Sequence, residues 1–311
     1  MKKRALLVAI NYVGTSNELH GCINDSTHMK DFLTARGFTD IKQILEKEAT
    51  TSGIKAGLAW LTADTQSGDV IVFHYSGHGS QIPSSVEPDG FEEIICPIDL
   101  DWLNKVISDN DLRKIFNKVP NGVNTTVILD SCHSGTMLNQ TESLNGTKEL
   151  VKPASSKKTK GARYLKPPTK IVNQLKTRTL VDWTASKDIN ASALLIAGCH
   201  ADQTSADAVI NGVPQGAATA ALLAAASNTS ITYRNLILSM DSFMKTNGLE
   251  QVPELDGSPT LYDQQFVEPF NIVITSAPIE STSPIVSVEP TQSTGIFEAI
   301  INFFKSLFSH H

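Results

Sequence analysis

Cysteine is scarce: Cys22, Cys96, Cys132 and Cys199 are the only four in 311 residues, with no disulfide-framework spacing. No C-x-x-C pair suggests zinc. No apolar run is long enough to span a membrane. Met1-Lys2-Lys3-Arg4 precedes only a short apolar run, Ala5 to Ile10, and then Asn11-Tyr12. That reads as a first strand and not as a signal peptide, whose apolar region is longer and followed by a small-residue cleavage site. These absences point to a reducing cytoplasm, where a free thiol survives. Aromatics are few, but hydrophobic content is ordinary and a normal packed core is expected. An overall basic excess is also missing. The net charge of −6 argues against nucleic-acid binding by the whole chain.

That charge is unevenly spread. Between Asn139 and Asp182 ten Lys and Arg stand against three acids, so the remainder is strongly acidic. A basic loop on an acidic body is expected to be drawn to that body. The loop contains Ser155-Ser156-Lys157-Lys158-Thr159-Lys160-Gly161 and Pro167-Pro168, and is too long for a connector in a compact domain. It is read as functional or disordered. A second break, 276–295, is rich in Ser, Thr and Pro and reads as a linker. Beyond it, Ile296, Ile300, Phe303, Phe304, Leu307 and Phe308 share one helical face. This amphipathic helix, 296–311, lacks the basic excess that anionic lipid would need, and docking on a partner or on the chain itself is favoured.

Elsewhere strand-like and helical runs alternate. Ala5–Ile10, Ile41–Leu45, Val70–Tyr75, Thr125–Leu129 and Ala193–Ala197 read as strands. Asn24–Arg36 (closed by Gly37), Thr51–Ala63, Gln215–Ala226 and Thr232–Lys245 read as helices, and Ser108 and Asp111 have capping-box spacing before another. The alternation predicts an α/β fold, a mostly parallel sheet sandwiched by helices. Ligand sites in such folds lie beyond the carboxyl ends of the strands.

Two motifs sit there. His74-Tyr75-Ser76-Gly77-His78-Gly79 follows one strand, and Asp130-Ser131-Cys132-His133-Ser134-Gly135 follows another. A thiol is a weak nucleophile until an adjacent imidazole takes its proton. The small residues around both let a substrate backbone come close.

The two motifs, 54 residues apart from His78 to Cys132, resemble those of the metacaspases, the caspase-like cysteine peptidases of bacteria, plants, fungi and protists. The resemblance runs from Ala5 to about Phe270. It includes Gly21-Cys22-Ile23-Asn24-Asp25, Gly198-Cys199 with Asp202-Gln203-Thr204-Ser205-Ala206-Asp207, and Gln251-Val252-Pro253. It implies a caspase-like fold over 1–275, in which residues 1–138 form the large-subunit region, 139–182 a cleavable basic linker and 183–275 the small-subunit region. Cys132 would be the nucleophile and His78 the base, with the amides of Gly79 and Cys132 as oxyanion donors. Metacaspases cut after Arg or Lys, which asks for a carboxylate-lined pocket. By resemblance Asp25, beside Cys22, with Ser76, Asp130 and Asp202 builds it, and Asp207 supports it.

The implied substrates are proteins or peptides with Arg or Lys at the cleaved position, the chain's own basic linker among them. The chain would be a monomer without the Pro- or Gln-rich N-terminal prodomain of some relatives. The chemistry requires no cofactor. Calcium stays open as an activator. The family's calcium positions match Glu92, Asp109, Asn110 and Asn139, where the two amides keep oxygen ligands but carry less negative charge. Asp109 supporting a helix N-terminus is the structural alternative. Two other functions stay open: a degenerate scaffold or adaptor, and a related peptidase with Asn or Asp specificity.

Overall fold

The computed structural model describes residues 1–84, 90–132, 159–176, 193–200, 203–227 and 230–270, all within one unit, Met1–Ile272. In chain order the elements are β1 (Lys3–Ala9), α1 (Cys22–Ala35), β2 (Asp40–Leu45), α2 (Thr51–Thr62), β3 (Val70–Ser76), β4 (Gly79–Pro83), β5 (Phe91–Ile95), β6 (Ile107–Ser108), α3 (Asp109–Phe116), β7 (Asn124–Asp130), β8 (Thr159–Ala162), α4 (Thr169–Lys176), β9 (Ala193–Ala197), β10 (Ala206–Ile210), β11 (Val213–Gly216), α5 (Ala217–Ala225), α6 (Tyr233–Thr246) and β12 (Glu254–Gly257).

A six-stranded sheet runs β12-β9-β7-β3-β1-β2, parallel except where β12 meets β9. Strands β3, β7 and β9 are buried along their whole length because both faces are covered. The two-residue period sorts their side chains. Leu6, Val8, Ile71, Phe73 and Tyr75 join one core with α2 and α3, while Ala5, Leu7, Val70 and Val72 join the other with α1, α5 and α6. Two small antiparallel sheets, β4-β5-β6 and β11-β10-β8, stand beyond the main sheet.

Helix ends follow local chemistry. Thr50, Ser108 and Thr232 each accept an amide three residues on, as N-caps do, and Gly37 leaves α1 at φ +80°. Two expectations are corrected. Gln215 and Gly216 end β11 and do not start α5, because the Gly216 amide is taken by Asp25. The basic segment is also not without pattern, since it carries β8 and α4, the latter starting just after Pro167-Pro168. No helix among the described residues is long and apolar enough to cross a membrane. The linker 276–295 and the amphipathic stretch 296–311 lie outside the described residues.

Candidate active site

Strands β3 and β7 pair in parallel register, with Ser76 opposite Asp130, so the two motifs leave the sheet side by side. His78 and Cys132 are both buried. The His78 Nε2–H donates to the Asn17 carbonyl at 2.8 Å, which leaves Nδ1 as the proton acceptor; it has no hydrogen-bond partner among the described residues. Two buried tyrosines hold the backbone here. The Tyr75 hydroxyl donates to the His78 carbonyl at 2.7 Å, and the His78 amide donates to the Tyr12 hydroxyl at 3.2 Å. The Cys132 sulfur instead takes the Ser205 amide at 3.1 Å. Thiol and imidazole are therefore not hydrogen-bonded to each other.

The space beside them is taken by the chain itself. Arg163, from the basic segment, is wholly buried. Its Nη2 lies 2.8 Å from Asp25 and 3.1 Å from Asp207, and its Nη1 lies 3.2 Å from Asp130. Nη1 also donates to the Ser76 hydroxyl at 2.8 Å, which donates in turn to Asp25 at 2.7 Å. The Arg163 carbonyl oxygen accepts the Gly79 amide at 2.9 Å and the Cys132 amide at 3.2 Å. Its own amide donates to the Ser205 carbonyl at 2.9 Å. Residues just before it pair antiparallel with β10, Ala162 opposite Ala206 and Gly161 opposite Asp207.

Three carboxylates around one guanidinium exceed its charge, and the backbone makes up the difference. Gly216 donates to Asp25, Thr219 to Asp130, and His20 and Gly21 to Asp207, at 2.8–3.0 Å. The Ser205 hydroxyl adds a bond to Asp130 at 2.7 Å. Asp25 lies in the first turn of α1 and Thr219 in that of α5, where the helix dipole favours an anion. Burial pushes the Asp25 carboxyl up, and the Arg163 guanidinium opposes that. With three kinds of donor on it we take it as ionised. Burial also lowers His78 to about 4 and raises Cys132 well above the ordinary thiol range. His78 is thus held as a neutral imidazole and Cys132 as a protonated thiol.

Of the residues anticipated from sequence, His78, Gly79, Cys132, Asp25, Ser76, Asp130 and Asp207 meet around Arg163. Asp207 makes direct contact and does not merely support the others. Cys22 is buried beside them, its amide bonded to Asn11. Asp202 and Asn139 lie outside the described residues. Sequence reasoning does not single out Arg163, Ser205, Gly216, Tyr12 or Asn17 for these roles. Arg163 leaves a sequence signal as one of several basic residues in the linker, and Ser205 as a member of the Asp202–Asp207 motif.

Glu92, Asp109 and Asn110 lie together elsewhere, around the start of α3. There Arg113 donates to Asn110 Oδ1 at 2.7 Å and to Asp109 Oδ2 at 3.1 Å, while the Asn110 amide reaches Glu92 at 3.4 Å. Calcium needs six to eight oxygens. These residues do not fit it, because a guanidinium already holds two of the oxygens. Among the described residues no group of three or more His, Cys, Asp or Glu could hold a metal.

Known proteins share this arrangement of chain and fold. The family described as Metacaspase, peptidase C14 domain, matches residues 3–141. Metacaspase-1 of Candida albicans is 31% identical over 305 residues, covering 86% of this chain and 67% of the relative. Metacaspase-9 of Arabidopsis thaliana is 31% identical over 319 residues, covering 86% and 97%. A Geobacter sulfurreducens protein of solved crystal structure superposes with a TM-score of 0.61 at 24% identity, over 86% of this chain and 99% of that one.

Proposed function

The chain belongs to the metacaspases, a family of cysteine peptidases, and from that premise we propose that it is an endopeptidase that cleaves after Arg or Lys, with its own Arg163–Tyr164 bond as first substrate. One observation carries this reading. A single residue, Arg163, has its cation among Asp25, Asp130 and Asp207 and its carbonyl oxygen on two backbone amides. A substrate's cleaved residue needs both at once. A neutral Asn would leave the carboxylates unpaired in a buried site, and an Asp would add a fourth.

Chemistry follows from the same contacts. The Cys132 thiol turns from Ser205 toward His78 and gives its proton to Nδ1 as sulfur attacks the Arg163 carbonyl carbon. The oxyanion is held by the Gly79 and Cys132 amides, aimed before charge develops. His78 then passes the proton to the departing Tyr164 nitrogen. Water, deprotonated by His78, splits the remaining thioester and returns the thiol.

The pocket, the donors and the dyad all come from one chain, so the reading needs no partner subunit. It also needs a reducing compartment, and Cys22, Cys96, Cys132 and Cys199 form no disulfide among the described residues. No calcium step is included, because Arg113 supplies a cation at the positions in question.

The test is hydrolysis of matched fluorogenic peptides ending in Arg, Lys, Asn or Asp, together with mass-spectrometric mapping of the aged protein. Cleavage after Arg and Lys is expected, with a new N-terminus at Tyr164, and both should fall by about 10³-fold or more in Cys132→Ala. Cleavage after Asn or Asp would overturn the pocket assignment. No cleavage of any peptide would favour the scaffold reading.

A further inference from the structure

The residues that follow Arg163 are held as closely as those that precede it. Tyr164 forms a parallel bridge with Gly79, the first residue of β4. The Gly79 carbonyl accepts the Leu165 amide at 3.0 Å, so Gly79 grips the chain through its amide on one side of the Arg163–Tyr164 bond and its carbonyl on the other. Next along β4, the buried Ser80 hydroxyl donates to the Leu165 carbonyl at 2.5 Å. The half-buried Leu165 side chain packs against the core cluster that contains Ile82, Ile94 and Ile95. A Cβ at Gly79 would overlap the Cys132 carbonyl, so only glycine lets the two backbones come this close.

We propose that β4 is a second half of the substrate site, one that binds extended peptide beyond the cleaved bond and selects an apolar residue two positions after the cleaved Arg. This rests on the peptidase reading above and deepens it. Main-chain pairing supplies binding that does not depend on sequence, and the place where Leu165 sits supplies the choice of side chain. Substrates are thus held on both sides of the bond: antiparallel on β10 before it, parallel on β4 after it. Backbone bonds on both sides fix the carbonyl between the oxyanion donors, which is the positioning that acylation requires.

The test uses the full chain and octapeptides copying Thr159–Lys166, with a fluorophore and quencher at the ends. The parent, with Leu at the second position after Arg, is compared with versions carrying Gly or Asp there. The parent's kcat/KM should exceed that of the Gly peptide by about tenfold, with Asp worse again. Ser80→Ala supplies the second arm. It should slow the octapeptide severalfold more than a peptidyl-arginine aminomethylcoumarin, which ends before that position. Equal rates for Leu, Gly and Asp would overturn the proposal, as would a Ser80→Ala loss of equal size on both substrates. If no arginine substrate of either kind is cleaved, the peptidase reading itself fails and this site falls with it.

Discussion

At the scale of single residues, the room for the Arg163 guanidinium depends on one hydrogen atom. Gly216 has an ordinary negative φ, so a side chain there would meet no backbone strain. What excludes one is space: a Cβ would overlap Asp130 Oδ2 and the Arg163 guanidinium. Gly216→Ala should therefore fold, yet lower kcat/KM for arginine peptides by roughly 10- to 100-fold, the range expected for overpacking a site with no slack. Steady-state kinetics beside a thermal melt would check it. An unchanged kcat/KM would show that the guanidinium does not need this wall. Asp25 and Asp130 are legible in the sequence because they sit inside recognisable motifs. Gly216 is not, since Pro-Gln-Gly-Ala looks like any strand-to-helix turn until Arg163 is seen beside it.

At the scale of elements, α3 shows how a local rule can substitute for a ligand. Ser108 caps the helix through the Asp111 amide, as its spacing predicted. The helical period then sets Arg113 one turn after Asp109, both almost wholly buried, and their contact is an i,i+4 ion pair. That spacing is open to view in the sequence, but whether both side chains turn inward depends on β5 and β6 beside them. Arg113 keeps the cation covalently attached. Peptide hydrolysis should accordingly differ by less than about twofold between millimolar calcium and a chelator. Replacing the built-in charge, in Arg113→Gln combined with Asn110→Asp, should let calorimetry detect calcium binding that the parent lacks. A severalfold activation of the parent by calcium would refute this account of α3.

At the scale of the whole molecule, the basic segment lays Arg163 among the three carboxylates, and on the proposed reading it plugs the site. Arg163 and Cys132 have almost no exposure, and His78 has little. Withdrawing the guanidinium would leave three buried carboxylates without their cation, a loss of about 3–5 kcal/mol if the structure did not relax. That penalty keeps the segment docked and, on the proposed cleavage, would favour the next cationic residue that arrives. The seal can be measured without turnover. In a His78→Ala background, which cannot process itself, Arg163→Ala should speed iodoacetamide labelling of Cys132 by about tenfold or more, because opening exposes the thiol. Equal labelling rates with and without Arg163 would mean that the segment does not cover the nucleophile.

The sequence alone determined what depends on short range. It disclosed the parallel strands through their apolar runs, the helix starts through their caps, and the His78 and Cys132 motifs at neighbouring strand ends. It also showed an acidic body with a basic loop, and so the sign of their attraction. It could not say which of the loop's basic residues lies among the carboxylates, because ten similar charges attract alike. Only the tertiary structure decided that. Pairing of Gly161 and Ala162 with β10 and of Leu165 with β4 leaves Arg163 alone at the register where its side chain meets three carboxylates and its carbonyl meets two amides. Register and convergence are relations between distant segments, and no local pattern encodes them.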